Sequence, residues 1–388
     1  MHNTRKITED IIWVGCNDRR LAMFENIFPL QNGVSYNSYL VMDEKITLFD
    51  TGDKAYCKEW LEKVKQICGG EKPQYLIISH IEPDHSGCIK ELTDLYPEIT
   101  LVGNDKTFTY LNQFYEISDG VKKLIVKDGD QLCIGNHTFT FIFAPMIHWP
   151  EVMMSYEESE QILFSADAFG KFGIKDEYKE DWTEEARRYY INICGKYGMQ
   201  VQKTLSKILQ PIKAIYPLHG PLLTEETEFY INKYNIWSKY EAEKEGIFIA
   251  YASIHGNTRK VAEKVGEILS DELKQDVKIC DLTRTDLSEA VSLAFKYNKM
   301  ILASSTYDGG IFTPMEDFLT RLKKKSYQNR MVGLIENGTW AAQSGKLMNA
   351  QLEQMKNISV CSTIVSIKSA MKEGDKENLR TLAKEIIK

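Results

Sequence analysis

The chain has 388 residues, 43% hydrophobic and 27% charged. This is the composition of an ordinary folded protein of two or three domains and excludes a disordered, collagen-like or low-complexity chain. Its 48 Lys and Arg against 55 Asp and Glu leave a net charge of −7, which does not attract nucleic acid. No apolar run approaches the ~20 residues of a membrane helix, and the N-terminus, Met1-His2-Asn3-Thr4-Arg5-Lys6, leads into acids rather than a signal core.

In chain order, short strands are expected at residues 11–15, 39–42 and 46–49. The turn Asp50-Thr51-Gly52-Asp53 leads into a helix over residues 55–67, and an apolar strand at 75–79 runs straight into His80. Further strands are expected at 124–126, 139–143 and 162–165. Mixed strands and helices with polar residues at strand ends describe an α/β sandwich. Residues 28–39 read as a strand–turn–strand of scaffold, the alternative being a segment that shapes the approach to a site. A polar, helix-forming run over 225–245 ends at Gly246, read as a helix stop, and places a boundary between domains 1–247 and 248–388. Beyond it, β-branched strands at 247–253, 277–281, 300–305, 331–336 and 363–367 alternate with charged helices, the last over 376–387. That alternation is a doubly wound parallel sheet of the flavodoxin type.

Eight cysteines, none in a C-x-x-C pair, read as reduced thiols of a cytoplasmic protein and exclude a built-in rubredoxin-like or zinc-ribbon module. The strongest chemical signal is His80-x-Glu82-x-Asp84-His85, four potential ligands in the loop after an apolar strand. His148, Asp167 and His219 follow, each at the end of another strand-like run, where loops place functional side chains. His2 and His137 lack such a setting. Four imidazoles and three carboxylates are too many for one tetrahedral zinc. They fit two metal ions sharing a carboxylate. A set of N and O ligands without thiolate suits iron, manganese or zinc, and its carboxylate content favours a redox-active di-iron pair.

The run H-x-E-x-D-H with a later His, Asp and His-Gly resembles the metallo-β-lactamase fold, in whose hydrolases the run is H-x-H-x-D-H. Glu82 stands where they have the second histidine, and in this the sequence resembles the flavodiiron proteins, or A-type flavoproteins. The resemblance implies a first iron held by His80, Glu82 and His148, a second held by Asp84, His85 and His219, and Asp167 bridging the two. The position matching His85 is not a ligand in every member of that family.

In the second half, Ser253-Ile254-His255-Gly256-Asn257-Thr258 follows the first strand and opens a helix. Backbone N–H groups and the helix dipole there make a cradle for a terminal phosphate. It is not G-x-G-x-x-G, so FMN fits better than a dinucleotide. The loops Ser304-Ser305-Thr306-Tyr307-Asp308-Gly309-Gly310 and Asn337-Gly338-Thr339-Trp340 lie where flavodoxins grip the isoalloxazine ring, which Tyr307 or Trp340 could stack on. His255 departs from the small or hydroxyl residue usual in flavodoxins.

The resemblance to flavodiiron proteins covers the whole chain: a metallo-β-lactamase-like αββα sandwich, then a flavodoxin-like domain. It implies an oxidoreductase in which electrons enter at FMN, pass to two irons per chain, and reduce O2 to water or NO to nitrous oxide. It also implies a head-to-tail homodimer or dimer of dimers, and an external donor, rubredoxin or reduced coenzyme F420, since the chain carries no rubredoxin or NAD module of its own. The competing expectations are a binuclear zinc hydrolase with an accessory flavodoxin, which Glu82 opposes, and a non-enzymatic electron carrier, for which seven intact ligands would be superfluous.

Overall fold

A computed structural model describes residues 3–174 and 182–388, and the chain divides into two units, residues 1–234 and 235–388. The first unit is built on two β-sheets. One has seven strands in the order Arg5–Lys6, Ile11–Trp13, Tyr39–Val41, Thr47–Phe49, Tyr75–Ile77, Thr100–Gly103, Lys122–Ile125. Its pairing is antiparallel up to Thr47–Phe49 and parallel beyond. The other sheet, Gln131–Cys133, Thr138–Phe143, Met153–Glu157, Ile162–Phe164, Ala214–Tyr216, is antiparallel except for its last pair.

Side chains alternate across a strand, and this period builds two cores from one sheet. Leu76 and Ile78 pack beneath helices, while Ile77 between them joins the layer between the sheets. In that layer Phe49 stacks on Phe164 with centroids 4.1 Å apart and meets Phe139 edge-on at 4.9 Å. The helix Cys57–Cys68 buries Trp60, Val64 and Cys68, one residue per turn, and stops at Gly69 in the left-handed conformation (φ 60°). Trp60 is fully buried, and covering a large apolar side chain contributes about 1.5–3 kcal/mol. Helices Ile89–Leu95 and Asp105–Phe114 complete this outer layer, and Trp182–Ile193 and Gly198–Leu205 lie in the chain between the last two strands of the second sheet. This is the expected lactamase-like α/β sandwich.

The second unit is a five-stranded parallel sheet. Lys244–Ala252 lies between Val277–Asp281 and Tyr297–Tyr307, followed by Arg330–Asn337 and Ile358–Ile367, a 2-1-3-4-5 order. That is the flavodoxin order, with its switch point beside the first strand. All five expected strands are present.

One reading is corrected. Gly246 does not end a helix. The helix Thr227–Ser238 stops earlier, and Gly246 lies inside the strand Lys244–Ala252, beside an irregularity in its pairing. Its φ is 148°, and an added Cβ would come within 2.9 Å of the Asp276 carbonyl oxygen. The glycine allows close backbone approach rather than capping a helix. The strands Thr100–Gly103, Gln131–Cys133 and Met153–Glu157 were not foreseen. They are short, and Met153–Glu157 is buried throughout without β-branched residues.

Candidate functional site

The side chains of the H-x-E-x-D-H run are placed by the ends of two parallel strands. Beyond Thr47–Phe49, Asp50 adopts a positive φ of 51°. Its Oδ1 accepts from the Ser79 and His80 backbone N–H groups at 2.8 and 3.2 Å, which fixes where the chain leaves Tyr75–Ile77. Glu82 then caps a single helical turn, Pro83–Ser86. Proline at the first helical position fixes φ there and turns Asp84 and His85 inward. Thr51 donates its N–H and its hydroxyl to the His85 carbonyl, both at 2.8 Å. His148, Asp167 and His219 come from the loops after Thr138–Phe143, Ile162–Phe164 and Ala214–Tyr216.

These seven side chains converge in two groups. In the first, Glu82 Oε2 lies 3.2 Å from His80 Nε2 and 3.0 Å from His148 Nε2. In the second, His85 Nε2 lies 3.1 Å from His219 Nε2, and Asp84 Oδ2 is 3.4 Å from both. Asp167 divides its oxygens between them. Oδ2 is 3.5 and 3.1 Å from His80 and His148, and Oδ1 is 3.2 and 3.7 Å from His85 and His219. With bonds of about 2.1 Å, ligand atoms around one metal stand roughly 3.0–3.4 Å apart, and the separations here run from 3.0 to 3.7 Å.

The hydrogen bonds of the pocket leave it short of positive charge. Both oxygens of Asp84 and of Asp167 are buried without a hydrogen-bond partner, an expensive arrangement unless a cation answers it. His80 Nδ1 is 2.7 Å from Glu151 Oε1, and His219 Nδ1 is 2.8 Å from the Ser35 carbonyl. Each contact is satisfied by an Nδ1–H that donates outward, which leaves the Nε2 lone pair facing the pocket, as in metal-ligating histidines. Burial works against a charged His148 ring, yet Asp167 and Glu82 outweigh it and lift its pKa to about 9. Burial likewise opposes ionisation of Asp167, but His80, His148 and His85 hold it well below the usual carboxylate range. Protons on the imidazoles thus compete for the positions a metal would take. Aromatic rings shield the second group: Phe24 and Tyr189 lie 5.2 and 5.6 Å from His219, and Tyr36 packs on both His219 and His85.

Residues 28–39, read as scaffold, hold the His219 turn. Asn37 Nδ2 donates to the Pro217 and Gly220 carbonyls at 2.7 and 3.0 Å, and Ser35 Oγ accepts from Gly220 N–H at 2.6 Å. Glu151 and Asp50 were also missed as supports. Their signal was available: an acid three residues beyond His148, and an acid opening the Asp50–Asp53 turn. His137 is elsewhere, against Glu157, and His2 lies outside the described residues.

In the second unit the three expected loops line one cleft of about 430 Å³, within the range of small-molecule sites. The first contributes Ser253, Ile254, His255, Asn257 and Thr258. The second contributes Ser305, Thr306, Tyr307, Asp308 and Gly309, and the third Asn337, Gly338, Thr339 and Trp340. Gly256 is not in the lining. It caps the helix Asn257–Glu267 with a φ of 83°, aiming that helix's N-terminus at the cleft. Gly310 also stays outside, paired with Tyr307 in a short hairpin. Ala341 and Ser369 join the lining unforeseen. Thr258 Oγ1 and Ser305 Oγ meet at 2.9 Å and tie the first two loops together. The Trp340 ring is 92% exposed, free to cover a flat ligand.

Residues 34–220 match the ODP family β-lactamase model, and residues 248–387 match a flavodoxin domain. An uncharacterized protein of Methanocaldococcus jannaschii is 31% identical over 81% of this chain and 80% of its own length. The nitric oxide reductase of Moorella thermoacetica is 29% identical over 90% of each. The rubredoxin oxygen:oxidoreductase of Desulfovibrio gigas superposes with a TM-score of 0.90 at 28% identity, covering 99% of this chain and 98% of that one. The chain belongs to the flavodiiron protein family. It is an oxidoreductase. Flavodiiron proteins carry a di-iron site in the β-lactamase-like domain and FMN in the flavodoxin domain, and this member has a built site for each. Two putative diflavin flavoproteins of Nostoc also match, but this flavodiiron protein spans only 66% and 58% of their length. Among its described residues no helix is long and apolar enough to cross a membrane.

Proposed function

We propose that this flavodiiron protein reduces O2 to water, taking electrons through FMN from an external donor of the rubredoxin kind. The observation that carries this reading is Glu82 among the imidazoles, with Asp167 shared between two ligand groups. A third carboxylate in place of a histidine makes the set harder and better suited to iron than to hydrolytic zinc. In the proposed assignment His80, Glu82 and His148 hold one metal, Asp84, His85 and His219 the other, and Asp167 spans them. The inward Nε2 of His85 supports counting it as a ligand.

The irons would supply reversible electron storage and the flavin one- and two-electron redox chemistry. The chain's own residues supply geometry and electrostatics. Glu151 and the Ser35 carbonyl orient His80 and His219, each through its Nδ1. Phe24, Tyr36 and Tyr189 exclude water beside the second ligand group. In the second unit, the N-terminal N–H groups of the helix Asn257–Glu267 would hold the FMN phosphate, and Tyr307 and Trp340, which line the cleft, would offer the ring a stacking surface.

The deciding experiment is anaerobic reduction of the metal- and FMN-loaded protein, followed by stopped-flow mixing with O2. Rapid reoxidation of both chromophores with water as product supports the reading. Two zincs per chain together with ester or amide hydrolysis would overturn it. The Moorella relative gives a second reading, in which NO is reduced to nitrous oxide, and the same instrument tests it by mixing with NO. A donor screen with rubredoxin and reduced coenzyme F420 distinguishes the two proposed sources of electrons. The same reading has the protein work in the cytoplasm as a two-fold homodimer or a dimer of dimers. A monomer enforced by dilution should keep both cofactors and lose turnover.

A further inference from the structure

Two thiols outside the ligand set stand beside the segment that carries it. Cys57 is the first residue of the helix Cys57–Cys68, and Cys88 is the cap residue before Ile89–Leu95. Neither is in a disulfide, and both are buried in the same core cluster. Cys57 Sγ also lies 3.7 Å from Glu91 Oε2, and Cys88 Sγ lies 3.4 Å from the Gly52 carbonyl oxygen. The backbones around them already touch. A Cβ on Gly87 would fall 2.6 Å from Lys54 N and 2.9 Å from the Gly52 carbonyl oxygen, and Cys88 N–H reaches Thr51 Oγ1 at 3.3 Å. A disulfide bridges only segments held this close, with Cα atoms about 4.4–6.8 Å apart.

We propose that Cys57 and Cys88 form a reversible disulfide, a redox-sensitive staple between the Asp50–Tyr56 turn and the loop carrying His80, Glu82, Asp84 and His85. The two thiols are unequal. Cys57 keeps 5% exposure and lies against Glu91, whereas Cys88 is fully enclosed. Cys57 also opens a helix of twelve residues, whose dipole adds thiolate character. Cys57 is therefore the attacking sulfur and Cys88 the resolving one. Access is through the surface ion pair of Lys54 and Glu91, whose side chains are 64% and 35% exposed.

The oxidant is a peroxide. Cys57 thiolate attacks one peroxide oxygen, an S–O bond forms, the O–O bond breaks, and the departing hydroxide takes a proton to leave as water. The Cys88 sulfur then attacks the sulfenic sulfur, the S–S bond forms, the S–O bond breaks, and the second water leaves with the Cys88 proton. The dithiol loses two electrons and the peroxide gains them. A small dithiol reverses the change by exchange. The staple would reinforce a link already made by the Thr51 N–H and hydroxyl on the His85 carbonyl.

The test treats the metal- and FMN-loaded full chain with hydrogen peroxide and maps its peptides without reduction. The exposed Cys133 serves as an internal clock for general thiol oxidation. The expected result is a linked pair of peptides containing Cys57 and Cys88, a mass about 2 Da lower, and restoration by dithiothreitol. In Cys88→Ser, dimedone should trap a sulfenic acid on Cys57, and Cys57→Ser should give neither cross-link nor Cys88 adduct. Retention of both thiols in the unsubstituted chain after Cys133 is consumed would overturn the proposal, as would pairing of either with another cysteine. That outcome needs no variant to fold, and it does not depend on which diatomic the enzyme reduces.

Discussion

Glu151 is buried to 1% exposure and holds His80 Nδ1 and the Ile81 N–H through one oxygen. It decides which nitrogen of His80 faces the ligand group, so it is a positioning residue that touches no substrate. Losing such a partner typically costs 10–100-fold in metal affinity. Glu151→Ala should weaken metal binding by about that factor in a chelator competition, with Glu151→Gln, which keeps an acceptor, falling between. A second buried pair lies away from the ligands. His137 Nδ1 and Glu157 Oε1 are 3.0 Å apart with both side chains almost fully buried. The hydrogen bond to Glu157 raises the His137 pKa above 6.5, against burial. Burial opposes ionisation of Glu157, but His137 and Ser159 hold it below 4.5. The raised histidine stabilises fully below about 6.5 and loses that contribution as pH rises through its folded value. The depressed glutamate stabilises above about 4.5 and loses it as pH falls through its folded value. His137→Ala should therefore cost most between these limits, about 3 kcal/mol for a broken buried pair, with the penalty shrinking in alkaline solution. Urea midpoints at a series of pH values check this.

At the scale of elements, the ligand loops are held by strands far away in the chain. Asn37 ties the strand Ile11–Trp13 to the turn that carries His219: it accepts from Trp13 Nε1 at 2.8 Å and donates to the Pro217 and Gly220 carbonyls. Asn37→Ala would leave these buried groups unpaired, at about 1–3 kcal/mol for each that water cannot reach. The expected outcome is a lower urea midpoint and loss of metal from the group containing His219 before the group containing His148. Unfolding curves and metal per chain measure both. This element also shows where reading the chain in order falls short. Val34-Ser35-Tyr36-Asn37 is a strand by its alternation, and nothing local to it announces that Ser35 and Asn37 meet a turn beyond residue 216. The contact exists only because the two sheets bring strand ends together.

For the whole molecule, three carboxylates and four imidazoles packed within the first unit are a charge problem that metal solves. Glu82 has His80 and His148 within hydrogen-bond reach, but the oxygens of Asp84 and Asp167 find no hydrogen-bond partner. A ligand that binds only the folded state stabilises it by about 2.7 kcal/mol at a hundredfold excess over its dissociation constant. Stripping the metal with a chelator should lower the thermal midpoint, and adding back ferrous iron anaerobically should restore it, as calorimetry would show. No change in midpoint would mean that the orphaned carboxylates answer some other need.

The ligand types, their order after apolar strands, and the alternation of five β-branched strands with helices are local patterns, and local patterns are written in the chain. Periodicity sorts residues onto faces, and glycine and proline mark the turns. What only the tertiary structure decided is convergence: that Asp167 shares its two oxygens between two ligand groups, that Glu151 and Ser35 set the histidine tautomers, and that Cys57 meets Cys88. Each of these depends on which strand ends lie side by side once the sheets have twisted and packed. Packing distance bears no relation to separation along the chain, so no window of sequence contains it.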